Sequence, residues 1–227
     1  MIFLRVLIML FIFLNFIYSQ DMKNLIFDIK EDKRFVLDNG MVVLLKRDSK
    51  LPLVSIQIWV RVGSIYETEQ INGISHFLEH LVFKGTSKYN MYEISKKIEY
   101  YGAILNAGTS KEYTVYYTDI PKNGLYDAID VLSQLVFYAT FPDEELEKER
   151  NVVIEEIKRS EDNPINVLYE NFNGLLFKKT PYKWRIIGKE DNIKSLSKQQ
   201  IVDYYQKFYI PQNMILSICG DIDYNEI

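Results

Sequence analysis

From Leu53 to Val62 the chain alternates Val54, Ile56, Ile58 and Val60 with Ser55, Gln57, Trp59 and Arg61. A period of two suits a β-strand with one face toward a core and the other toward water. Such a strand needs partners at its edges and a layer over its apolar face. Partners are legible nearby. Arg34–Leu37 and Met41–Leu45 flank Asp38-Asn39-Gly40, and the Asn-Gly pair tolerates the positive φ of a tight hairpin, which predicts two antiparallel strands. Ile104–Gly108 and Glu112–Ile120, the latter dense in Thr, Val and Tyr, predict two more before Pro121, and Asn213–Cys219 predicts a closing one.

The covering layer shows as a change of period. Ile74, Phe77, Leu78, Leu81 and Val82 recur at helical spacing and predict a helix over Ile74–Phe83. Asn90 with Glu93 three residues on opens a second, which stops near Gly102. Leu125–Thr140, Asp143–Ser160 and Ile165–Phe177 read as longer helices, broken at Phe141-Pro142, Asn163-Pro164 and Thr180-Pro181. Ser197 with Gln200 caps a last one through Tyr209. The expected class is α+β, a mostly antiparallel sheet with helices packed on one face.

A chain of 227 residues, 48% hydrophobic and 26% charged, is composed like a folded domain with one substantial core. Its net charge of -4, with Lys and Arg scattered among the acids, excludes nucleic acid as the expected partner. The single Cys219 cannot form an internal disulfide, and the apolar run Met214–Ile218 before it suggests a small core residue. At the N-terminus Arg5 precedes the apolar stretch Val6–Leu14, and Ser19 precedes a polar start. That pattern predicts a signal peptide over residues 1–19 and export, periplasmic or secreted, with an uncleaved membrane anchor as the alternative. Residues 20–33 are then a linker and 34–227 the folded domain.

Chemistry concentrates in His76-Phe77-Leu78-Glu79-His80, which holds both histidines of the chain. On a helix, residues three and four apart share a face, so both imidazoles can meet one metal ion. Two such nitrogens suit zinc, which in a catalytic site takes a third protein ligand and leaves a position for water. Glu79, one turn from His76, is placed to reach that water. The acid-rich helix Glu144–Glu161 is the natural source of the third ligand, and Glu149 and Glu156, two turns apart, look the same way. Glu145, Glu147 and Glu155 read as a solvated charged face, although spacing alone does not separate Glu155 from Glu156.

Several segments, in order, resemble the pitrilysin and mitochondrial-processing-peptidase family of zinc peptidases, whose motif inverts the commoner His-Glu-x-x-His. They are His76–His80 continuing through Leu81-Val82-Phe83-Lys84-Gly85-Thr86, then Tyr101–Ala107 with Thr109-Ser110 and Thr114–Tyr117, Glu149–Ile157, Gly188, Leu196–Ile201, Tyr204 and Gly220-Asp221. The resemblance implies His76, His80 and Glu156 as zinc ligands, Glu79 as general base and Glu149 as the acid that supports the catalytic site. Asn106 and Ala107 would lie on the edge strand that takes an extended peptide.

It also implies a peptide substrate and a complementary second half, or a homologous subunit, that closes over the peptide with an Arg and a Tyr. The chain, ending at Ile227, would be the N-terminal half alone. The expected function is a zinc-dependent endopeptidase acting on peptides or unfolded segments. Its alternative is an incomplete or inactive half-domain that binds a partner or peptide without catalysis. S-ribosylhomocysteine lyases share the metal motif but lean on a metal-binding cysteine, a role for which Cys219 is poorly placed.

Overall fold

The computed structural model describes residues 33–225. The expected signal peptide and most of the expected linker lie outside the described residues. Lys33, expected in the linker, instead begins the first strand.

Strands β1 (Lys33–Val36), β2 (Val42–Arg47), β3 (Leu53–Val60), β4 (Leu105–Thr109), β5 (Thr114–Pro121) and β6 (Met214–Gly220) form one sheet in the order β1-β2-β6-β3-β5-β4. All pairs are antiparallel except β2 with β6. The Asn-Gly hairpin forms as expected: Gly40 sits at φ 87°, Gly40 N–H donates to Leu37 O at 2.8 Å and Asn39 Oδ1 accepts from Met41 N–H at 3.1 Å. The last strand slots between β2 and β3, so residues nearly the whole domain apart form the middle of the sheet.

Helices α1 (Ile74–Leu81), α2 (Met91–Glu99), α3 (Leu125–Phe137), α4 (Asp143–Glu161), α5 (Pro164–Leu176), α6 (Glu190–Ser195) and α7 (Lys198–Phe208) account for the second layer. One face of the sheet is sealed: Val54, Ile56, Ile58 and Val60 of β3 are 0 to 3% exposed and join Tyr116, Ile120 and Ile218 in a core with Phe77, Leu81, Leu132 and Val136. On the other face Ser55, Gln57, Trp59, Val115, Tyr117 and Asp119 all stay half-buried or exposed. This is the alternation that makes β3 readable as a strand.

Capping boxes at Asn90/Glu93 and Ser197/Gln200 open α2 and α7 as expected. Several boundaries differ. The α1 run changes at Val82 to a single 3₁₀ turn, Val82–Lys84. Helix α3 stops at Phe137, because Ala139 bridges to Thr86 and Thr140 N–H bonds Gly85 O. Strand β4 begins at Leu105 rather than at Ile104, which is 77% exposed. The six-residue α6 was not expected from periodicity, since one and a half turns carry too few positions to show a stripe. Cys219 is not a core residue: its register with Ser55 and Lys46 sets it on the open face, half-buried.

Candidate metal centre

Helix α1 buries Ile74, Phe77, Leu78 and Leu81 completely, and this fixes its rotation. His76, Glu79 and His80 are thereby turned toward β4 and α4. On α4 the buried positions Leu146, Glu149, Val153, Ile154 and Ile157 form the inner face, and Glu156 follows at its border. Glu155, one residue back, points to solvent and pairs with Lys158 at 2.7 Å.

The donor atoms converge. Glu156 Oε2 lies 3.5 Å from His80 Nε2 and 3.8 Å from His76 Nε2, and one donor atom from each of the three residues lies within 4.8 Å of the others. With zinc–nitrogen bonds near 2.0 Å and tetrahedral angles, two ligands of one ion sit about 3.3 Å apart. The set therefore fits zinc with little movement. The placing of His80 fits as well: Nδ1 lies 2.9 Å from Glu149 Oε1, and with Nδ1–H donating to that oxygen the Nε2 lone pair faces Glu156. The other Glu149 oxygen meets Lys84 Nζ at 2.7 Å. His76 Nδ1 is buried without a hydrogen-bond partner.

Electrostatics follow from burial and these pairings. Burial, with His80 beside it, pushes His76 down to about 3, so its imidazole is neutral at physiological pH and free to coordinate. His80 is pulled down by burial, but the Glu149 hydrogen bond and the charges of Glu79, Glu149 and Glu156 outweigh that and raise it. Glu79 is raised by burial against the opposing hydrogen bond from the Thr109 hydroxyl. A carboxylate made more basic in this way is better suited to accepting a proton.

The centre opens into a cleft of about 400 Å³ whose walls include Gly108 and Thr109 of β4, Tyr169 and Glu170 of α5, and the segment Trp184–Ile187. Lys111 Nζ bonds Trp184 O and the Tyr182 hydroxyl bonds Glu112, tying that segment to the β4–β5 turn. Helix α5 stands at the rim with no buried residue. Asn106 and Ala107 lie on β4, at the edge of the sheet, three and two residues before Thr109; the Ala107 N–H is occupied by Asn106 Oδ1 at 2.9 Å.

Of the sequence-predicted site residues, His76, Glu79, His80, Glu149 and Glu156 come together on α1 and α4, whereas Asn106 and Ala107 lie on β4 outside the lining of the cleft. Thr109, Lys84 and Trp184–Ile187 were not anticipated as parts of the site. Thr109 could have been, because it shares the strand face of Ala107 two residues earlier. Nothing local marks Trp184–Ile187, which reaches the cleft only through the loop's return.

Two helix-borne imidazoles, a carboxylate donor and a second carboxylate alongside, on an α+β scaffold, are an arrangement that could hold a metal ion. Residues 42–190 match the family described as insulinase, peptidase family M16, and residues 195–227 match that described as the peptidase M16 inactive domain. The chain belongs to peptidase family M16.

It is 37% identical over 190 residues to the uncharacterized zinc protease YmxG of Bacillus subtilis, covering 84% of this chain and 46% of the relative. To the mitochondrial-processing peptidase subunit beta of Bos taurus it is 32% identical over 209 residues, 92% of this chain and 42% of that one. Among solved structures, a protease from Helicobacter pylori superposes with a TM-score of 0.82 at 28% identity, covering 86% of this chain and 48% of the other. The periplasmic protease PqqL from Escherichia coli gives 0.81 at 27%, covering 87% and 23%. The chain therefore spans less than half the length of these relatives.

Proposed function

We propose that this chain is the zinc-binding domain of an endopeptidase that cleaves peptides or unfolded segments, with His76, His80 and Glu156 holding the metal. The observation that carries the reading is the convergence of these three donors beside Glu79 at the mouth of a cleft bordered by an edge strand. Zinc held there would supply Lewis acidity, lowering the pKa of water and polarising the scissile carbonyl. Glu79 takes the proton from the attacking water at its carboxylate and returns it to the leaving nitrogen. Glu149 fixes the His80 ring and its tautomer. Asn106 and Ala107 hold the peptide as an added strand on β4. A complementary half, or a homologous subunit, closes the open side of the cleft, and residues 1–19 direct export.

The test combines metal analysis with turnover. Wild-type protein should carry about one zinc, lost in His76→Ala and kept in Glu155→Ala. Glu79→Gln should keep the zinc while kcat on a quenched unfolded peptide, measured with a related C-terminal half supplied, falls by about a hundredfold or more. A His76→Ala protein with full zinc, or a Glu79→Gln protein with normal turnover, would sink the assignment. The match of residues 195–227 to the inactive-domain family supports a second reading, a domain that binds peptide without cutting it. Peptide binding by zinc-loaded wild type with no cleavage in any assembly would select that reading.

A further inference from the structure

The helix that carries His76, Glu79 and His80 begins without a cap of its own. Its N-cap is Gly73 at φ 103°, which has no side chain to accept from the first free N–H groups. Glycine is required there, since a Cβ would lie 2.9 Å from both Gly188 Cα and Ile187 O. The accepting oxygens come from Glu67. Its Oε2 takes the Gly73 N–H at 2.8 Å and its Oε1 takes the Ser75 N–H at 2.9 Å.

Glu67 is 5% exposed and forms no ion pair with Lys or Arg among the described residues. A buried carboxyl is costly to ionise, and burial raises Glu67; the N–H groups at the start of α1 and Asn72 oppose that, with the charge of Lys111 also acting on it. The carboxylate does more, because Asn72 Nδ2 donates both to Glu67 Oε2 at 2.7 Å and to Arg185 O at 2.8 Å. Arg185 belongs to Trp184–Ile187, the segment that lines the cleft with His76, Glu79 and Glu156. One buried group thus anchors the start of the metal-bearing helix and, through Asn72, a wall of the cleft.

We infer that Glu67 is a positioning residue for the reaction: it sets the place of α1, and so of the donor His76 one turn on, relative to the Trp184–Ile187 wall. The inference rests on the peptidase reading above.

Glu67→Gln is the sharp test, because it keeps the shape. Both Glu67 oxygens accept from N–H donors, so an amide turns its NH₂ against a donor in either orientation. The expected variant is folded by circular dichroism, with amide exchange at Gly73, Ser75 and Arg185–Gly188 about tenfold faster and α3 unchanged. Zinc affinity should fall about tenfold, and kcat with it. Asn72→Ala leaves the Gly73 and Ser75 bonds in place but cuts the link to Arg185. It should keep zinc affinity near wild type while KM for the quenched peptide rises several-fold and kcat changes little.

A folded Glu67→Gln with wild-type zinc affinity, exchange pattern and kcat would overturn the inference. Should Glu67→Gln fail to fold, an unchanged KM in Asn72→Ala overturns it instead. Wild-type protein that neither binds zinc nor cleaves peptide would sink the peptidase reading, and the exchange pattern would still decide whether Glu67 anchors both elements.

Discussion

Replacing Glu149 by Gln isolates the role of the residue behind the proposed metal ligands. The side chain is 9% exposed and accepts from two donors, His80 Nδ1 at 2.9 Å on one oxygen and Lys84 Nζ at 2.7 Å on the other. Glutamine has one acceptor oxygen, so either orientation sets its NH₂ against the imidazole N–H or against the ammonium. Losing the partner behind a ligating histidine costs about 10–100-fold in metal affinity, or roughly 1.4–2.7 kcal/mol. The lost charge-assisted bonds should cost a further ~1–3 kcal/mol of folding stability.

Zinc affinity is read by competition with a chromophoric chelator, and stability by urea titration of the zinc-free protein. Burial pushes Glu149 up, but the hydrogen bonds from His80 and Lys84 more than offset it and hold the carboxyl below its ordinary value. A depressed carboxylate contributes stability that is present above its unfolded pKa and lost as pH falls through the folded one. Wild type should therefore lose its advantage over Glu149→Gln as pH drops below the ordinary carboxylate range. Zinc affinity within twofold of wild type, or a stability gap that persists unchanged in acid, would refute the reasoning.

Three further outcomes are expected. Thr109→Val removes the hydroxyl that lowers Glu79, so the acid limb of the kcat/KM profile should move to higher pH with zinc binding unchanged. Phe77→Ala empties a fully buried site under the Arg150 guanidinium, 5.4 Å from the ring centre, and should cost ~3–5 kcal/mol by urea titration. Gly188→Ala places a Cβ 2.4 Å from Asn72 O at a φ of 80°; the thermal midpoint should fall by several degrees, about 2–4 °C per kcal/mol at this size.

Local periodicity made much of this molecule readable in advance. The alternation in β3, the helical stripe of α1, the capping boxes of α2 and α7 and the Asn-Gly turn all express contacts within a few residues, and each formed, although β3 ended at Val60 and α1 at Leu81, two residues short of the expected ends. The candidate ligands His76 and His80, with Glu79 beside them, were legible for the same reason, since the three are neighbours on one short helix. Separating Glu156 from Glu155 took more than spacing, because both lie near the border of the buried stripe of α4. The helix's rotation, set by Leu146, Val153, Ile154 and Ile157, turns one to the imidazoles and the other to Lys158.

What the sequence determined by itself was most of the elements, α6 excepted, and the pairing of two imidazoles with a carboxylate, because these depend on the intrinsic periods of strand and helix. What only the tertiary structure decided was every relation between distant segments: the insertion of β6 between β2 and β3, which moved Cys219 from the core to the open face, and the hold of Glu149 on His80. The Thr109 bond to Glu79 and the anchoring of α1 by Glu67 to the wall around Arg185 belong there too. Such contacts depend on how layers dock, and docking is chosen by the burial of whole faces rather than by any residue's near neighbours.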